Sequence, residues 1–284
     1  MAATSVVIRL VLAAAVMAAG LFPVAARAQA LAPAVPEANP AAPQSCPGLV
    51  ASRRPPFLAA AAGEGLAADE VRIGYVGHAT FLIESPKHVR IATDYNDYVR
   101  PRVLPDIATM NHAHSTHFTD RPDPDIKFVL RGWRDDGTPA DHDLTYADVR
   151  VRSVSTNIRD WSGGTEKNGN SIFIFEIGQL CIAHLGHLHH TLTPRQLEDI
   201  GRIDVLLVPV DGGYTLDLDG MVEVVRAIKA PLMLPMHYFN STTLRRFLDL
   251  VGRDYDVEFA ATPSVVVSKA TLPAKGKFLV LPGH

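Results

Sequence analysis

Cysteine is nearly absent: the chain has two, Cys46 and Cys181, in 284 residues. That excludes a disulfide-dense small scaffold. Neither cysteine belongs to a C-x-x-C pair, so a redox motif is excluded as well. Charge of one sign is also lacking. The 27 basic and 30 acidic residues leave a net charge of −3, with no long run of either sign. A nucleic-acid partner would ask for a clustered basic surface, so none is expected. Nor is there an apolar run of the roughly 20 residues that span a bilayer.

What is present is a hydrophobic fraction of 47%, enough for a sizeable core. The first thirty residues stand apart. Arg9 precedes the apolar run Leu10–Phe22, and Ala26-Arg27-Ala28 and Ala28-Gln29-Ala30 follow with small-x-small spacing. That order reads as a cleaved secretory signal over 1–30 and implies a periplasmic or secreted protein. No stable membrane insertion is expected after cleavage. Residues 31–65 read as an Ala/Pro-rich linker and N-terminal arm, and 66–284 as one folded domain. Export makes a Cys46–Cys181 bond chemically allowed, and two separate thiols fit the sequence equally well.

From Val71 onward short β-branched runs recur. Val71–Val76, Ala79–Glu84, His88–Asp94, Lys127–Arg131, Val149–Val154, Ser171–Glu176 and Leu180–His184 read as strands. Val205–Pro209 and Pro231–Pro235 are apolar runs bounded by proline and read as buried strands. Pro194–Ile200 and Gly220–Lys229 carry helical spacing. Phe278–Leu281 is a further apolar run that fits a last strand or a contact. Strands first, then helices alternating with strands, point to a layered α/β domain.

Twelve histidines are present, and eight fall in three short segments. The first is Asn111-His112-Ala-His114-Ser-Thr-His117. In an extended stretch His112 and His114 point the same way and can grip one ion, with His117 joining after a turn. The second is His184-Leu-Gly-His187-Leu-His189-His190, where Gly186 permits a tight turn that aims His187. His184 and His190 are weaker members. The third is Pro235-Met-His237-Tyr238. Each segment lies at or beyond a strand end, where α/β folds place their sites. Asp94, at the end of Ile-Ala-Thr-Asp, suits a carboxylate that orients a ligand histidine through its second ring nitrogen.

Taken in order, Gly77-His78-Ala-Thr, Ala92-Thr-Asp94, His112-x-His114-x-x-His117, His184-Leu-Gly, Val208-Pro-Val-Asp-Gly-Gly213 and Pro235-Met-His237-Tyr238 resemble the metallo-β-lactamase superfamily. The closer resemblance is to the branch of the L-ascorbate 6-phosphate lactonase and N-acyl-phosphatidylethanolamine phospholipase D type proteins, over Val71–Leu244. It implies an αββα sandwich of two mixed β-sheets flanked by helices, with a metal site at the sheet edge. It also exposes three departures. Thr116 stands where the family has a metal-binding Asp, Asn157 at the apparent place of a further His, and His187 in place of a bridging Asp.

The expected metal ligands are therefore His112, His114, His117, His187, His237 and His184. Imidazole ligation favours zinc, in one or two ions, with iron and manganese as alternatives. The expected function is an exported metal-dependent hydrolase of a small ester, lactone or phosphodiester, working through a metal-activated water. His190, Asp120 and Asp211, in that order, are candidate proton acceptors. Tyr238 or Asn157 is a candidate donor to a developing oxyanion. The alternatives are a degenerate metal-binding protein without turnover and an iron-dependent oxidoreductase on the same fold. The partner expected is a small molecule; no oligomeric state follows from the pattern.

Overall fold

The computed structural model describes residues 65–160 and 162–283, which fall in one compact unit. The expected signal over 1–30, Cys46, and all but the last residue of the 31–65 arm lie outside the described residues.

Alternation builds the first sheet. In β1 (Glu70–Gly77) the side chains of Val71, Ile73 and Tyr75 turn inward while their neighbours stay half exposed, the period of two of a strand with one buried face. It pairs antiparallel with β2 (Thr80–Glu84), and Arg72 meets Glu84 across the pair at 2.8 Å. β3 (Arg90–Ala92), β4 (Ile107–Met110) and β5 (Phe128–Arg131) continue the sheet, the last two pairings being parallel. β13 (Ser264–Ser268) closes the other edge, giving the order β13-β1-β2-β3-β4-β5.

The second sheet takes β6 (Asp143–Tyr146), β7 (Val149–Arg159), β8 (Thr165–Ile177) and β9 (Leu180–His184) as an antiparallel run. β10 (Val205–Pro209), β11 (Leu232–Met236), β14 (Lys277–Val280) and β12 (Asp256–Phe259) follow in parallel. Its order is β12-β14-β11-β10-β9-β8-β7-β6. Every residue of β9, β10 and β11 is buried, as expected where both faces of a parallel segment are covered.

One face of the eight-stranded sheet packs Phe173, Phe175, Leu207 and Leu234 against Ile73, Phe81 and Ile91 of the first sheet. The opposite face packs Ile174, Leu206, Val208 and Met233 under α1 (Pro194–Ile200), α2 (Leu218–Ile228) and α3 (Ser241–Val251). The expected α/β sandwich of two mixed sheets is present. Among the described residues its helices lie on the eight-stranded sheet, while a small cluster including Ala92, Met110 and Trp133 packs beside the first sheet. The sequence pattern alone does not separate α3 from loop. Its apolar residues Leu244, Phe247, Leu248 and Val251 form one buried stripe, and Asn240 caps it by accepting the Thr243 N–H at 3.0 Å. β4 was missed as well, and β7 and β8 run past the expected ends into a polar hairpin.

Candidate metal centre

The C-terminal ends of β1, β3, β4, β9, β10 and β11 meet at one edge of the sandwich, and the polar residues there follow those ends. His78 follows β1, Asp94 lies two residues past β3, Asp211 lies two past β10, and His237 follows β11. Three of the four, His78, Asp94 and His237, have positive φ, at 51°, 42° and 55°. Non-glycine residues avoid that region unless the surroundings over-determine it. Here the surroundings are visible. The His78 carbonyl accepts from the His237 backbone N–H at 2.7 Å and from the Tyr75 hydroxyl at 2.9 Å. The Asp94 carbonyl accepts from Asn96 at 2.8 Å and Thr80 at 3.2 Å.

His78, His114, His117 and His237 each turn one ring nitrogen toward a common point, all within 4.8 Å of one another. Two carboxylates behind them decide what those nitrogens carry. Asp94 Oδ2 lies 2.5 Å from His117 Nδ1, with both side chains fully buried. Asp211 Oδ1 lies 3.0 Å from His237 Nδ1. An ionised carboxylate only accepts, so each Nδ1 carries the proton and each Nε2 keeps a lone pair. Those two Nε2 atoms face each other at 3.1 Å. Two facing lone pairs repel unless a cation sits with them. Burial and the neighbouring His237, His114, His78 and His184 hold His117 well below the usual imidazole range, so a proton is a poor cation here. Burial, with His237 and His114, likewise lowers His78 to about 3. The donor set therefore fits a metal ion better than it fits being empty.

Asp94 is pushed up by burial to about 6, opposed by His184 and by a hydrogen bond from Asn111, and it stays ionised at neutral pH. Asn111 Nδ2 reaches Asp94 Oδ1 at 2.9 Å, and Asn111 Oδ1 accepts from the Ser171 backbone N–H at 2.7 Å. Gly186 passes over this network at φ 62°. A Cβ there would lie 2.3 Å from Asn170 Oδ1 and 2.4 Å from Asn111 Nδ2, so only glycine fits.

The residues expected from sequence divide as follows. His114, His117 and His237 come together. His187 adjoins them, with its ring 4.6 to 4.9 Å from the rings of all three, but it is not one of the converging four. His112 stands apart. Its ring stacks on Trp133 at 4.9 Å and its Nδ1 meets Glu166 at 2.7 Å. A face shared with His114 requires an extended segment, yet β4 ends at Met110 and the chain turns from there. His184 is fully buried and satisfied elsewhere: Nε2 meets the Ala79 carbonyl at 2.9 Å and Nδ1 accepts from Gly186 at 3.2 Å.

Asp211 is committed as an acceptor. Its carboxylate takes the N–H groups of Gly213, Tyr214 and Thr215 and the Thr215 hydroxyl as well as His237. These bonds outweigh burial and hold it below the usual carboxylate range, so it orients His237 and is a poor proton acceptor. His190 and Asp120 are exposed at the surface. Tyr238 packs into the core beside Tyr75, ring centroids 6.4 Å apart. Asn157 accepts from the Asn168 backbone N–H at 3.0 Å in the β7–β8 hairpin.

His78 was read from sequence only as a landmark. The criterion that singled out His237, a histidine directly after a buried strand, applies to it equally. Phe239 was not singled out either. It is 60% exposed, its ring lies 5.8 Å from His78 and 5.5 Å from His237, and Tyr214, 64% exposed, meets it edge-on at 5.4 Å.

Residues 72–237 match the family model described as the Beta-lactamase superfamily domain. The chain belongs to that family. Among superfamily relatives, a UPF0173 metal-dependent hydrolase of Thermoplasma acidophilum is 27% identical over 211 residues, 65% of this chain and 92% of the relative. A second, from Thermoplasma volcanium, is 25% identical over 190 residues, 60% of this chain and 84% of that one. A metallo-β-lactamase superfamily structure from Thermotoga maritima, described as a Zn-dependent hydrolase, is 29% identical. It aligns with a TM-score of 0.57 over 75% of this chain and all of its own. The superfamily match spans β1 to His237, the stretch that carries all four converging histidines.

Proposed function

We propose that the chain is a metal-dependent hydrolase of a small ester, lactone or phosphodiester. The observation that carries this is the His117–His237 pair, two lone-pair nitrogens held 3.1 Å apart by two buried carboxylates. Relatives named metal-dependent hydrolases support the reaction class. The residues that would hold the ion are His78, His114, His117 and His237, a donor set that suits zinc, with iron or manganese as alternatives. A dication bound there would lower the pKa of its water from about 15.7 towards 7 and polarise a substrate oxygen.

The protein's own groups supply the rest. Asp94 and Asp211 fix ring orientation. Phe239 and Tyr214 present exposed aromatic faces beside His78 and His237, suited to an apolar substituent on the substrate. His190 and Asp120 are the remaining candidate proton acceptors. The likeness to the lactonase and phospholipase D type branch, and export through the segment over 1–30 to the periplasm or beyond, belong to the same proposal. The test is turnover of aryl esters, lactones and phosphodiesters before and after exhaustive chelation. Loss of activity on chelation and recovery with zinc is expected; activity that survives metal removal contradicts the reading.

A second reading has its own observation. Among the described residues no carboxylate joins the four converging histidines, and His190 and Asp120 are both exposed. A metal-binding protein without turnover would hold metal under the same test and hydrolyse none of the three substrate classes.

A further inference from the structure

We infer that His187 serves the site as a hydrogen-bond donor, its Nε2–H aimed into the histidine group, and that it is not a metal ligand. The backbone N–H of Arg159 can only donate, and it points at His189 Nδ1. That nitrogen is therefore the acceptor, and neutral His189 carries its proton on Nε2. His189 Nε2 lies 2.6 Å from His187 Nδ1. It donates there, so His187 Nδ1 accepts and the His187 proton sits on Nε2. His187 Nε2 lies 3.1 Å from His114 Nε2.

The rest of the chain of contacts agrees. In the metal-free protein His114 then holds its proton on Nδ1, 2.8 Å from the Thr116 hydroxyl, and that hydroxyl is free to donate to His78 Nε2 at 2.9 Å. A bound ion would take the His114 and His78 lone pairs in place of these hydrogen bonds, while the His187 tautomer, set from the His189 side, would stay. Every contact has one donor and one acceptor. The reverse assignment sets two N–H groups head-on at Arg159 and His189. Both rings are neutral, because each has one nitrogen that accepts a hydrogen bond and so carries no proton. The backbone is fixed too, since the His187 N–H donates to buried Asn170 Oδ1 at 2.8 Å.

The consequence is a reversal of chemistry at this position. A carboxylate would bring negative charge and lone pairs. His187 instead brings an N–H beside the same space that His114 Nε2 faces, where it can donate to a substrate oxygen as negative charge develops. That catalytic sense rests on the hydrolase reading; the tautomer and the absence of ligation do not.

The experiment is nitrogen-15 NMR of the histidine-labelled full chain, metal-free and zinc-loaded, with chelator-competition affinities for two variants. Expected are a protonated Nε2 and an unprotonated Nδ1 on His187 in both states. Replacing His189 by Leu, which removes the upstream donor, shifts the His187 tautomer population. His187→Gln, which keeps an N–H donor, lowers zinc affinity by no more than about tenfold, while His237→Gln lowers it more than about a hundredfold. A zinc-ligated His187 nitrogen, an Nδ1-protonated His187, or a His187→Gln loss equal to that of His237→Gln overturns the inference. If no substrate is ever turned over, the hydrolase reading fails and these readouts still decide the role of His187.

Discussion

Two polar regions of this molecule differ in kind. One is the histidine edge. The other is a cleft of about 660 Å³ between the β6–β7 strands and α1, lined by Arg150, Arg152 and Arg195 with Asp141, Asp143, Glu198 and Asp199. The cleft is roomy and charged, yet its cations are matched. Arg150 bonds Asp143 at 2.7 Å and, with Arg152, pairs with buried Glu176, and Arg195 pairs with Asp199 at 3.0 Å. At the histidine edge two buried carboxylates meet only neutral rings. Carboxylates orient the rings from behind and leave lone pairs facing one another in front. Size marks a cavity; an unresolved donor set marks a site.

The largest effect that would break this contrast is loss of a converging ring. His117→Ala or His237→Ala is expected to reduce metal affinity by more than about a hundredfold, read by chelator competition. Arg150→Ala should leave metal affinity unchanged. Next come the carboxylates behind the rings. Asp94→Asn and Asp211→Asn keep shape but lose charge, and each should cost about 10–100-fold in metal affinity. A change under about twofold would detach those carboxylates from the site.

A pH series on the metal-free protein sharpens the same contrast. Burial leads the depression of His78, His114, His117, His184, His187 and His189, with His78 at about 3 and His189 at about 4. A group whose folded pKa is depressed binds protons better when unfolded. Stability from these histidines is therefore complete above the unfolded value of about 6.5 and is lost as pH falls through it toward 4. Asp94 acts oppositely. Raised to about 6, it takes up a proton in the folded state first and adds stability below that pH. Six histidines outweigh one carboxylate, so the melting temperature should fall between pH 7 and pH 5. A zinc-loaded sample should fall less at pH values where zinc still binds, since metal binding to the folded state adds stability.

The smallest effect belongs to the cleft. The Arg195 side chain is 79% exposed, and Arg195→Gln should change stability by less than about 0.5 kcal/mol and leave metal binding alone. A loss of metal there would erase the distinction between the two regions.

The β-branched runs were legible because their burial demands that composition. β1, β2, β9, β10 and β11 all lie where Val, Ile and Leu predict them. β4 was not legible. Ile107-Ala-Thr-Met110 is four residues long, follows Pro105 and carries a threonine, so no alternation shows. The polar half of β8, with Asn168, Gly169 and Asn170, carries no β-branched pattern because the strand there serves the site and not the core. Asn170 and Asn111 are buried to position His187 and Asp94, and no local pattern signals that. The histidine segments were legible as a group through their clustering at strand ends. Their division into converging rings, donor and bystanders was not. His112 leaves the group because the chain turns after Met110, and His78 joins it through a left-handed backbone that sequence spacing does not encode.

The most direct test of the histidine edge is metal analysis of full-length protein prepared without added metal, wild type beside His237→Ala. About one equivalent of a dication in the wild type and little in the variant is expected of a single four-histidine site. No metal in either, or equal metal in both, would contradict it.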